Sequence, residues 1–101
     1  MDLNIENLEV THNEAENRFE IWIDGQLSKL DYNHHGNTIV MMHVGVYPDH
    51  RGRGIAGKLT QVALEYAKEK NLRVIPMCSY VAAYIRKHPQ YMDLMKPQTE
   101  A

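Results

Sequence analysis

Residues 47–59, YPDHRGRGIAGKL, set three glycines and three basic side chains between a long apolar run and a segment of helical period. Before them stands TIVMMHVGVY, the most apolar strand candidate in the chain. After them Ile55, Leu59, Val62, Ala63, Tyr66 and Ala67 recur at the spacing of one helix face. LRVIPM then reads as a short buried strand with Pro76 at its end. A strand, a helix and a second strand in that order imply a right-handed crossover and a parallel pair. The glycine segment is therefore the hinge between two kinds of structure.

The chain before it reads as a meander. LEVTHNE alternates apolar and polar residues, and RFEIWIDG does so more clearly, with Phe19, Ile21 and Ile23 on one face and Trp22 on the other. Asp24-Gly25 is a hairpin signal, because both residues tolerate positive φ. QLSKLDYNH is the returning strand, and His35-Gly36-Asn37 marks the next turn. The main helix ends near Lys70-Asn71, with Lys68 and Lys70 where cations suit its dipole. SYVAAYIRKH predicts a second helix stopped by Pro89, followed by a tail that is irregular after about residue 93 and frayed in KPQTEA. The expected fold is α+β, one domain over residues 1–101: an antiparallel meander, a helix, a parallel strand and a second helix.

Composition narrows the function classes. Apolar residues are 44% and charged residues 24% of 101, with a net charge of −2. That balance gives no global attraction to nucleic acid or to an anionic membrane, and no aromatic–basic platform accompanies the arginines. Any basic function is local to Arg51, Arg53 and Lys58. The single cysteine, Cys78, excludes an intramolecular disulfide and suits a reducing compartment. MDLNIENLEV lacks the order of a signal peptide, and no apolar run reaches the ~20 residues that cross a bilayer. A cytoplasmic protein without a membrane partner is expected. No two of the six histidines stand at i, i+4 on a predicted helix beside a third ligand, so no metal is expected. The six scattered methionines read as core filling.

Backbone N–H groups at a helix start lack internal partners and carry the positive end of the dipole. Glycines at 52, 54 and 57 let an anion approach them, and Arg51 and Arg53 add charged donors. A pyrophosphate fits such a loop; the alternative is a glycine-softened surface turn with its arginines in water. Gly57-Lys58 is followed by Leu59, so the hydroxyl of a Walker loop is missing. GRGIAG matches a dinucleotide fingerprint, but it follows a meander and no acidic residue stands near position 75.

Arg51-x-x-Gly54-x-Ala56 resembles the Q/R-x-x-G-x-G/A signature of the GNAT-type N-acetyltransferase superfamily. HVGV, RGRGIAGKL, PMCSY and HPQYMDL together resemble its small, single-domain YjdJ-like branch and cover most of residues 38–95. The resemblance implies a minimal GNAT-like fold. It implies acetyl-coenzyme A held at Arg51, Gly52, Arg53, Gly54, Ile55, Ala56, Gly57 and Lys58, and acetyl transfer to an amine of a protein or small molecule. The fourth strand splays from the fifth in that family, so amides near Val44 and Val46 would polarise the thioester carbonyl. Relatives often carry a glutamate base where this chain has Gly45, and His43 is the nearest substitute or else a sheet histidine. Cys78 lies close to the implied thioester, as acetyl acceptor or as apolar filler. Tyr84 matches the segment that protonates the leaving thiolate, with Tyr80 as competitor. The helices that shape an acceptor site in larger relatives are absent, because NEAENR allows only a turn. A coenzyme A-binding module with little turnover is the second reading.

Overall fold

The computed structural model describes residues 7–97. Its elements are β1 (Thr11–Asn13), β2 (Arg18–Ile23), β3 (Gln26–His35), β4 (Thr38–Gly45), a 3₁₀ turn (Pro48–His50), α1 (Ile55–Glu69), β5 (Arg73–Pro76), α2 (Ser79–Lys87) and a 3₁₀ helix (Pro89–Met95). The sheet runs in chain order, β1-β2-β3-β4-β5. The first four strands pair antiparallel, and β4–β5 is parallel. The α+β architecture read from the sequence is the one found.

Local chemistry explains the joints. Asp24 and Gly25 take φ of 49° and 76°, the two left-handed residues that a two-residue hairpin needs. α1 ends in a Schellman motif: the Leu72 N–H donates to the Ala67 carbonyl at 2.8 Å and the Asn71 N–H to Lys68 at 3.2 Å. Asn71 supplies the positive φ, 56°, and Leu72 is buried behind it. α1 packs on β2, β3 and β4, and α2 packs on β4 and β5. Ile55, Leu59, Ala63, Leu64 and Ala67 share one core with Phe19, Ile21, Leu30, Ile39, Met41 and Val74. Trp22 stays 54% exposed on the other sheet face.

One irregularity was not expected. Asp31 pairs with His43 but Tyr32 pairs with Met41, so Met42 has no partner across the ladder. The extra residue inverts the alternation of β4. Ile39 and Met41 are buried, Met42 and His43 are both exposed, and Val44 packs against the core again.

Two expectations are corrected. The C-terminal segment is ordered to Met95, because Tyr91 and Leu94 are buried and the Tyr91 hydroxyl donates to the Glu65 carboxylate of α1 at 2.5 Å. The Arg73 Nε also donates to the Met95 carbonyl at 3.2 Å. The last four residues of KPQTEA lie outside the described residues. Core filling describes Met41 and Met95, but Met42, Met77 and Met92 are exposed.

Glu20 is buried on the face opposite the helices and accepts hydrogen bonds from Arg18 Nε (2.5 Å), Asn13 Nδ2 (3.0 Å) and Trp22 Nε1 (3.1 Å). Burial pushes its carboxyl up, but these donors outweigh burial and hold it below the ordinary range. The folded state then binds the Glu20 proton less readily than the unfolded chain does. Its contribution is complete above the unfolded value of about 4.5 and is lost as pH falls below that value. Glu20→Gln is expected to lower stability at pH 7 and to narrow its gap to the parent protein in acid, measured by urea denaturation between pH 7 and 3. In the same assay Tyr91→Phe is expected to cost about 1 kcal/mol at neutral pH, the scale of one net hydrogen bond.

Candidate functional site

The parallel pairing that closes the sheet is short. β4 and β5 stay in register from Thr38↔Arg73 to Met41↔Pro76 and pair no further. Pro76 has no N–H to continue the ladder. The Cys78 N–H donates to the Met41 carbonyl at 3.0 Å and turns the chain into α2. Beyond Met41, β4 is bonded on its β3 side only, and the strands part. A cleft of about 450 Å³ occupies the gap, lined by the end of β4, the glycine loop, the start of α1 and Tyr80.

The loop holds the cleft open with backbone conformation. Gly52 and Gly54 adopt φ of 78° and 84°, a region that side chains with a Cβ rarely enter. Gly54 is the N-cap of α1 and has no side chain to satisfy the first N–H groups of the helix. No acidic residue stands in that first turn. Arg51 is exposed, and its Nε donates to the Val46 carbonyl at 3.3 Å, across the mouth of the cleft. Gly57 serves packing instead of backbone strain. A Cβ there would stand 3.4 Å from the Tyr80 hydroxyl and 3.8 Å from the Tyr84 ring.

His43, Val44, Val46, Arg51, Gly52, Gly54, Ile55, Ala56 and Gly57 are brought together around the cleft. Arg53, Lys58, Cys78 and Tyr84 are not among its lining residues. Cys78 caps α2 and packs against the core. Tyr84 borders a smaller groove of about 190 Å³ beside Ala83, Lys87 and His88, and its ring stacks on His88 at 3.9 Å. Tyr80 borders both spaces. Burial raises the phenol pKa of Tyr80, and burial with the neighbouring Tyr80 and Glu65 raises that of Tyr84, so both stay protonated at neutral pH. His50 also lines the cleft and was not singled out in the sequence. Its place directly before Arg51 was the available signal.

His43 and Gly45 are structurally coupled. A Cβ on Gly45 would lie 3.0 Å from the His43 Cε1 and 3.6 Å from its Nδ1. The imidazole thus overlies the space that a side chain at 45 would enter. The Asp31 Oδ2 is 3.9 Å from His43 Nδ1 and 3.4 Å from Lys29 Nζ. No group of three His, Cys, Asp or Glu able to hold a metal occurs among the described residues, and none of their helices is long and apolar enough to cross a membrane.

A mixed sheet splayed behind a helix start that lacks a side-chain cap defines the acetyltransferase type of α+β fold. The family model for GCN5-related N-acetyl-transferases matches residues 18–94, and the chain belongs to that family. It is 30% identical over 95 residues to human Protein NATD1, covering 89% of this chain and 84% of that one. With zebrafish (Danio rerio) NATD1 it shares 31% over 91 residues, 85% and 83% of the two chains. The NMR solution structure of a GCN5-like protein from Staphylococcus aureus superposes with a TM-score of 0.69 at 33% identity, covering 87% of each chain.

The His43–Gly45 contact makes one outcome specific. Gly45→Ala is expected to displace the His43 ring, shifting its imidazole resonances in NMR while those of His12, held by the Tyr32 hydroxyl at 2.6 Å, stay in place.

Proposed function

We propose that the protein is an acetyl-coenzyme A-dependent N-acetyltransferase of the small YjdJ-like branch, acting in the cytoplasm on an amine of a protein or small molecule. The observation that carries this reading is the cleft where β4 leaves β5 beside an uncapped helix start. The pyrophosphate lies on the amides from Gly52 to Gly57, with Arg51 as a charged donor and Arg53 and Lys58 adding positive potential from outside the cleft. The thioester reaches into the splay, where amides near Val44 and Val46 polarise its carbonyl.

In the transfer itself the amine nitrogen bonds to the carbonyl carbon and the carbon–sulfur bond breaks. The amine proton leaves to His43, whose ring stands over the position where a glutamate would otherwise project. Tyr80, protonated and lining the cleft, returns a proton to the departing thiolate. That role passes from Tyr84 to Tyr80 because Tyr84 borders the neighbouring groove. Transfer is direct in this scheme, and Cys78 is a packing residue.

The test is release of free coenzyme A from acetyl-coenzyme A over a panel of amines, with intact-protein mass spectrometry read in parallel. Amine-dependent thiol release supports an enzyme; tight binding without release supports the coenzyme A-binding module. Gly54→Val is expected to abolish coenzyme A binding, because valine is strained at the φ of 84° and shields the helix start. Arg51→Ala is expected to weaken binding by about 1–3 kcal/mol, read by calorimetry. Among the chemical residues, His43→Ala and Tyr80→Phe are expected to lower kcat by about tenfold or more, whereas Cys78→Ala keeps most turnover. A covalent acetyl adduct lost in Cys78→Ala would reverse that assignment and restore the thiol as acceptor.

A further inference from the structure

We propose that His50 is a ligand of the donor's pyrophosphate, presenting its Nε2–H to a phosphate oxygen; this rests on the coenzyme A reading of the cleft. His50 ends the 3₁₀ turn Pro48–His50 and lines the cleft beside Gly52 and Gly54, and its ring packs on Tyr47 at a centroid distance of 5.3 Å. Its Nδ1 is buried without a hydrogen-bond partner, the one such side-chain atom among the described residues. Nε2 makes no hydrogen bond among the described residues and is not enclosed in this way.

The two nitrogens are therefore unequal. A proton on Nδ1 would be a buried, unpaired donor, and such orphaned donors are rarer in proteins than under-used acceptors. The neutral ring accordingly carries its proton on Nε2, the accessible side. Folding gains nothing from this choice of residue: phenylalanine would fill similar volume on Tyr47 and leave no orphaned nitrogen. Buried polar groups without partners are uncommon and need a reason outside packing. Here the reason is the neighbourhood. The free Nε2–H joins the uncapped amides of α1 and the Arg51 guanidinium, so the cleft gathers donors suited to an anionic oxygen.

Long-range ¹H–¹⁵N spectra of protein labelled with ¹⁵N-histidine read the tautomer directly. The Nε2–H form is expected, and an Nδ1–H form would overturn the assignment. Calorimetric titration then compares His50→Phe and His50→Gln with the parent protein. H50F is expected to bind coenzyme A and 3′-dephospho-coenzyme A about tenfold more weakly, with a melting temperature unchanged or higher. H50Q keeps an N–H donor and loses less. Pantetheine, which has no pyrophosphate, is expected to bind H50F and the parent alike in NMR titration. Equal coenzyme A affinity in H50F, equal loss in H50Q, or the same loss with pantetheine would each overturn the proposal. A parent protein that binds no coenzyme A overturns the donor reading itself, a result distinct from a binding parent with an indifferent H50F.

Discussion

The end of one parallel ladder governs the rest of the site. Four residue pairs hold β5 to β4, and the last of them places Pro76 opposite Met41. Proline cannot extend the pairing, the Met77 N–H turns back to the Ile75 carbonyl, and the Cys78 N–H is spent on Met41 as the chain turns into α2. Everything past Met41 on β4 must then find its second neighbour elsewhere. The cleft exists because the sheet stops at that point while β4 continues.

The bulge at Met42 gives that free end its orientation. With regular alternation after Met41, His43 would face the core and Val44 would face solvent. One unpaired residue exchanges them, so Val44 packs inward opposite buried Leu30 while His43 and Gly45 share the outward face. The same face brings Asp31 and Lys29 alongside His43. A register defect of one residue thus decides which side chains reach the splay.

Much of the architecture was legible because it is written in local chemistry. Asp24-Gly25, the αL residue Asn71 and the helical period from Ile55 each specify a backbone conformation without tertiary help. The glycine loop was legible for the same reason, since Gly52 and Gly54 occupy conformations that few other residues tolerate. The bulge was not. Every residue of TIVMMHVG except Thr38, His43 and Gly45 is apolar, so either alternation satisfies the pattern and only pairing with β3 selects one. The order of the C-terminal segment was hidden too, because it depends on Tyr91 reaching Glu65, 26 residues back in the chain. Tyr80 and Tyr84 share a helix face at this spacing, and only the tertiary packing places Tyr80 at the cleft and Tyr84 in the neighbouring groove.

The pairing of Gly45 with His43 has a consequence for how the strand can do chemistry. A carboxylate at 45 and an imidazole in its present place would compete for one volume, since even a Cβ at 45 meets the ring at 3.0 Å. A side chain at 45 would therefore have to move the ring, and in this chain the titratable group at this point of the strand is His43. Positions 43 and 45 share one face, because residues i and i+2 of a strand project together. His43 stands beside Asp31 on β3, a neighbour fixed by the register that the bulge imposes. The bulge, the glycine at 45 and the place of His43 are thus one structural arrangement.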